Sequence, residues 1–173
     1  MELWDIYDAD RNRTGRVMVR GDAFKEGDYH LVVHVCIFNQ KGEMLIQQRQ
    51  PFKQGWSNLW DITVGGSAVA GDSSQTAIAR ELEEELGLTV SFAGIRPHLT
   101  LFHTNGFDDI YLLQKEVELD KLTLQVEEVQ AVRWASQEEI FTMIDSKEFI
   151  PYHKSLIALF FDMKNQYGAH QQK

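Results

Sequence analysis

Between positions 80 and 88 the chain reads RELEEELGL, which places glutamate at Glu81, Glu83, Glu84 and Glu85. Helical periodicity runs over about 73–86 and Gly87 follows as a stop, so these acids crowd the last turn of a helix. A helix C-terminus carries partial negative charge and favours Lys, Arg or His. Like charges four residues apart also repel, by roughly 0.2–0.5 kcal/mol. At about 100° per residue, Glu81, Glu84 and Glu85 share one arc with the small Ala77, which is expected to leave space beside them. Ile78, Ala79, Leu82 and Leu86 form the apolar arc that faces a core, and Glu83 points to solvent. An acidic helix face is usually no more than a solvated face. Three convergent acids at the unfavourable end of a helix break a local rule, however, and such breaks are expected at functional sites. The chemistry they suit is that of hard divalent cations, because Mg²⁺ and Mn²⁺ prefer carboxylate oxygens and water.

The residues before this helix extend the pattern. Gly65 and Gly66 follow an apolar stretch and allow a ligand to approach the backbone closely, although a tight turn explains a double glycine equally well. Asp72 has the character of an N-cap, with Gln75 at the third helical position. The combined spacing is the specific signal: Gly66, five residues, Asp72, seven residues, then Arg80-Glu81-Leu82-x-Glu84-Glu85-x-Gly87-Leu88.

The elements that must hold these residues are mostly strands. LWDIYD (3–8) and GRVMVR (15–20) flank a polar turn and read as an N-terminal hairpin over about residues 1–21. HLVVHVCIFN (30–39) reads as a buried strand, EMLIQQRQ (43–50) as an alternating one, and WDITVGG (60–66) as a short strand ending in glycines. Further strands are expected at 89–95, 98–104, 110–118 and 129–136. A capping box of Ser136 and Glu139 opens a second helix, a third spans about 154–167, and the tail from about 168 to 173 is expected to fray. Strands interrupted by one helix and closed by two more indicate a mixed α/β (α+β) fold, organised as a single domain over 1–173.

Composition narrows the function. A formal charge of −9 argues against binding a nucleic acid polymer, which needs a basic face. The lone cysteine, Cys36, suits a reducing compartment. The first residues lack a signal-peptide pattern and no apolar run approaches the roughly 20 residues of a membrane span. A cytoplasmic location without membrane contact is the expectation, and a homodimer is compatible with the sequence.

The spacing from Gly66 to Leu88 resembles the Nudix box, G-x5-E-x7-R-E-U-x-E-E-x-G-U with U a bulky apolar residue, and departs from it only where Asp72 replaces glutamate. The resemblance implies a Nudix fold, a mixed β-sheet sandwiched between helices. It implies that Glu84 and Glu85 bind Mg²⁺ or Mn²⁺ with help from the Gly65 carbonyl, and that Glu81 is a further ligand or a base. Arg80 would orient the glutamates and pair with Asp72, whose shorter side chain puts that contact in question. The implied reaction is hydrolysis of a small diphosphate compound linked to a group X, with the metal neutralising phosphate oxygens and activating water for in-line attack. Glu128 is the first choice for an additional acid outside the box and Glu127 the second.

The N-terminal segments resemble bacterial Nudix proteins similar to isopentenyl-diphosphate isomerase, so isomerisation is a rival reading. That enzyme carries Cys-Gly-His where this chain has Gly65-Gly66-Ser67, and Phe107 and Asp109 stand where it has a Glu-x-Glu. These losses favour hydrolysis. A non-catalytic nucleotide-binding module is a third reading, against which the complete glutamate set argues. Arg49 and Lys53 fall where the isomerase holds diphosphate and are expected to contact phosphate. Phe107, with Phe52 and Trp56, is expected to wall the substrate site. Trp60, Trp134, Cys36 and the histidines at 30, 34 and 103 are read as structural.

Overall fold

The computed structural model describes residues 1–171. In chain order the elements are β1 (Leu3–Tyr7), β2 (Arg13–Val19), β3 (His30–Phe38), β4 (Met44–Arg49), β5 (Trp60–Asp61), β6 (Val64–Ser67), α1 (Ser74–Leu86), β7 (Leu99–His103), β8 (Gly106–Gln114), β9 (Val129–Ala135), α2 (Gln137–Asp145) and α3 (Lys154–Met163). The alternation of β3 decides the layering, since successive side chains of a strand point to opposite faces. Val33, Val35 and Ile37 pack with Ile78, Leu82 and Leu86 of α1. Cys36 and Phe38 pack on the other face with Ile140 of α2 and Ile157 and Phe160 of α3. A mixed sheet therefore lies between helices, as expected. Among the described residues no helix is long and apolar enough to cross a membrane.

The sheet divides in a way that opens a site. β3 runs parallel to β8 and antiparallel to β6, whereas β4 carries β5 and β9, both antiparallel. β3 and β4 themselves are in register only at Phe38 and Met44. The WDITVGG stretch is consequently two short strands rather than one: it leaves β4 after Asp61 and joins β3 at Val64. Thr63 fills the fork, its hydroxyl accepting from Ile37 N–H and donating to the Leu45 carbonyl. This satisfies two backbone groups that the split leaves without ladder partners. The β1–β2 hairpin forms its own small sheet and braces the loop before α1, through Ala70 N–H on the Leu3 carbonyl (2.7 Å) and Gly71 N–H on Asp5 (2.8 Å).

Four expectations need correction. α1 is capped by Ser73, not Asp72: the Ser73 hydroxyl accepts from Thr76 N–H, and the Thr76 hydroxyl accepts from Ser73 N–H. Ala77 is fully buried rather than bordering open space. Residues 89–95 form no strand: a turn with Gly94 at φ +76° instead seats Phe92 against Tyr111. α3 ends at Met163, and Tyr167 leaves the helical path to stack on His98 at 4.0 Å and donate to the Arg96 carbonyl. The capping box of α2 is present as expected. Part of the tail expected to fray, residues 172 and 173, lies outside the described residues.

Candidate active site

The fork between β3 and β4 and the C-terminal turn of α1 line a cleft of about 540 Å³. Its acidic wall is made by Glu81, Glu84 and Glu85, and their environments differ. Glu81 lies over Gly66, where any Cβ would overlap its carboxylate. Gly66 is thus required by close approach, not by an unusual backbone angle. Burial pushes the Glu81 carboxyl up, Arg80 opposes that, and the charges of Glu84 and Glu2 add to it. Glu85 is only 7% exposed and has one side-chain hydrogen bond, from the Gln47 amide at 2.9 Å. Burial raises its pKa to about 8, opposed by Gln47 and reinforced by Glu81, Glu128 and Asp61. Glu84 is half exposed.

Arg80 organises this wall. Its Nη1 donates to Glu81 and Glu84, both at 3.0 Å, while Nη2 donates to the Ser67 carbonyl and to Asp72. The shorter side chain of Asp72 does reach Arg80, at 3.2 Å. Because Ser73 takes over the helix cap, Asp72 is free for this pairing.

These residues fit a hard divalent cation. The donors are carboxylate oxygens, and among the described residues the buried Glu85 has no positively charged partner against the acids around it. Gly65, the expected carbonyl donor, lines the same cleft on β6. Among the described residues, no three Asp, Glu, His or Cys side chains are gathered closely enough to hold an ion as they stand. Arg80 instead bridges two of the acids.

The facing wall contains Arg49, Lys53 and Glu128. Lys53 pairs with Glu128 at 2.6 Å. Among the described residues, the buried Nε of Arg49 has no hydrogen-bond partner. Glu127 lies in an adjoining groove with Phe52 and does not line the cleft. Trp56 lines the cleft and is 54% exposed. Phe107 does not join them: its ring is buried against Tyr7, with the Arg11 guanidinium 4.3 Å from its centre. It belongs to the core because β8 turns it toward the α1 face.

Several cleft residues were not found by sequence reasoning. His34, read from the sequence as structural, instead lines the cleft over Gly65, Asp108 faces it at 3.5 Å, and Asp61 and Tyr152 close the inner end. A buried acid within the apolar WDITV stretch was a usable signal for Asp61. Nothing in the pattern pointed to Glu2 and Arg20, which the hairpin brings to the cleft as a 3.0 Å ion pair. Cys36 is fully buried beneath α2 and α3, and burial holds its thiol well above the ordinary value.

Comparison with known proteins gives a consistent picture. The NUDIX domain family matches residues 28–160. An uncharacterized Nudix hydrolase of Listeria monocytogenes is 44% identical over 170 residues, which is 98% of this chain and 99% of that protein. An isopentenyl-diphosphate Delta-isomerase of Corynebacterium glutamicum is 26% identical over 160 residues, 87% of this chain and 85% of that protein. The crystal structure of DR0079 from Deinococcus radiodurans shares the fold, with a TM-score of 0.71 at 23% identity over 92% of this chain and 97% of that one.

Proposed function

The chain belongs to the Nudix hydrolase family, and on that premise we propose that it hydrolyses the diphosphate linkage of a small compound, such as a nucleoside diphosphate joined to a further group X. The family generally uses divalent metal ions; here Mg²⁺ or Mn²⁺ is proposed, held by Glu81, Glu84, Glu85 and the Gly65 carbonyl. When bound, the cation supplies positive charge against which phosphate oxygens develop negative charge.

The chain's own residues have distinct tasks. Arg80 keeps Glu81 and Glu84 side by side and is itself fixed by Asp72 and the Ser67 carbonyl. Arg49 and Lys53 bind phosphate oxygens from the facing wall; their presence in the cleft lining, and the Arg49 Nε that has no partner among the described residues, support this role. Glu128 accepts the proton of the attacking water at a carboxylate oxygen once phosphate competes for Lys53. The water oxygen bonds to phosphorus, the bridging P–O bond breaks, and the leaving phosphate keeps that electron pair. A reducing, cytoplasmic setting belongs to the same proposal, and the free thiol of Cys36 is compatible with it.

The observation that carries this reading is Glu85, a deeply buried carboxyl with one neutral partner and three acids around it. Isomerisation is disfavoured because the cleft lining carries no thiol among the described residues: Gly65 and Ser67 replace the Cys and His of the isomerase segment, Cys36 is sealed away, and the His34 imidazole is the ring that remains there. The test is a panel of nucleoside di- and triphosphates, nucleotide sugars, dinucleotides and isoprenoid diphosphates, with Mg²⁺ or Mn²⁺. Metal-dependent release of phosphorylated products from one class is expected. Binding without turnover across the panel overturns the proposal, as does an isomerised isoprenoid product.

A further inference from the structure

Beyond the three glutamates, the inner end of the cleft is lined by polar groups that take no part in the bond cleavage proposed above, although the charge of one of them, Asp61, is felt by Glu85. Asp61, at the end of β5, is 9% exposed and lines the cleft. Its Oδ1 accepts from the Tyr152 hydroxyl at 2.8 Å and from Ile62 N–H at 2.7 Å. Its Oδ2 has no hydrogen-bond partner among the described residues. Tyr152 is delivered by the segment after α2, which runs beside β5 through Trp60 N–H on the Glu148 carbonyl and Ile150 N–H on the Trp60 carbonyl. His34 and Asp108, brought together by the parallel pairing of β3 and β8, complete this end. The subsite adjoins the reacting centre: Asp61 sits opposite Gln47 in the β4–β5 register, and Gln47 holds Glu85.

We infer that this end of the cleft is the subsite for group X, and that X is a hydroxylated group which hydrogen-bonds to Asp61. The inference rests on the hydrolase reading above and deepens it. That oxygen opens on the cleft rather than being sealed in the protein, so a ligand that covers it shuts it off from solvent: a ligand hydroxyl replaces the lost hydrogen bond, whereas an analogue without one leaves the oxygen unpaired. A hydroxyl suits Asp61 in either protonation state, because it both donates and accepts. That matters here, since burial pushes the Asp61 carboxyl above its usual range. An alkyl or isoprenyl X would find few apolar surfaces in the cleft beyond Val32, Ile150 and the ring of Trp56, and it would leave Asp61 unsatisfied.

A matched pair of diphosphate monoesters tests this with the unmodified protein and Mg²⁺: glucose 1-diphosphate against cyclohexyl diphosphate. The inference predicts a kcat/KM about a hundredfold or more higher for the glucose compound. Asp61→Ala should remove most of that preference, read as the ratio of kcat/KM for the two compounds, mainly by raising KM for glucose 1-diphosphate. Tyr152→Phe, a milder change, should narrow the preference in the same direction. Equal kcat/KM for the pair, or preference for the cyclohexyl compound, overturns the inference and leaves hydrolysis standing. If neither is turned over, the hydrolase reading loses support for diphosphate monoesters, and calorimetry with methylene-bridged analogues decides the subsite separately. Binding of the glucose analogue tighter by about tenfold or more sustains it, and equal binding overturns it.

Discussion

Gly66 matters through the side chain it lacks. The atoms nearest a Cβ there belong to the carboxylate end of Glu81, the far end of a flexible side chain, so the fold can absorb the change by moving that carboxylate. Gly66→Ala is therefore expected to keep its melting temperature within a few degrees while metal-dependent turnover falls by about tenfold or more, an effect of displacing a positioned group. Thermal scans and turnover on the same preparation check this, and full activity in the variant contradicts the placement of Glu81. Glu85 gives a second prediction, specific to the metal-free protein. Folded Glu85 keeps its proton up to about pH 8, whereas its ordinary pKa is 4.5. Between those values the folded state binds more protons than the unfolded chain, so this contribution to stability is full below pH 4.5 and is lost as pH rises toward 8. Glu85→Gln lacks that loss. In chelator, the variant should gain stability over wild type from about pH 5 to pH 8, with a slope of at most about 1.4 kcal/mol per pH unit. A pH-independent difference contradicts it. The convergence of Glu81, Glu84 and Glu85 was legible from helical spacing, but their unequal burial was not, because it depends on what Gly66 and Gln47 place beneath them.

At the scale of elements, α1 shows how one residue of offset separates stability from function. Reading Asp72 as the cap was reasonable, since Asp and Ser are similar caps. The choice went to Ser73 because Asp72 is drawn to Arg80 and to Val69 N–H. Ser73→Ala should then cost about 1 kcal/mol, a fall of roughly 2–4 °C in melting temperature for a chain of this size, with turnover retained. Asp72→Asn should do the reverse, weakening the hold on Arg80 and lowering turnover with little thermal change. If the two substitutions have the same effect on both quantities, the division of labour is wrong. Elements with strong periodicity, such as β3 and α1, were visible in the sequence. The expected strand at 89–95 was not realised, because the turn at Gly94 and the burial of Phe92 satisfy that segment without a ladder.

For the whole molecule, the sandwich of helices around a mixed sheet follows from pattern, but the composition of the cleft does not. Its lining comes from the hairpin, β3, β4, β5, β6, α1, β8 and the segments around Glu128 and Tyr152. Only the tertiary register, above all the fork at Thr63, brings Asp61 and His34 near Glu85. The Nudix box was legible because one helix and its preceding loop carry it locally; the facing wall required the fold. An acidic chain of formal charge −9 that gathers carboxylates at one cleft should also bind and be stabilised by a divalent cation, with melting temperature rising as Mg²⁺ or Mn²⁺ is added. The central claim is tested most directly by metal-dependent turnover of Glu84→Gln and Glu85→Gln beside wild type, on whichever diphosphate the panel identifies. The account predicts turnover by wild type only with Mg²⁺ or Mn²⁺, and a loss of about a hundredfold or more in each folded variant. Full metal-dependent turnover in either variant would contradict it.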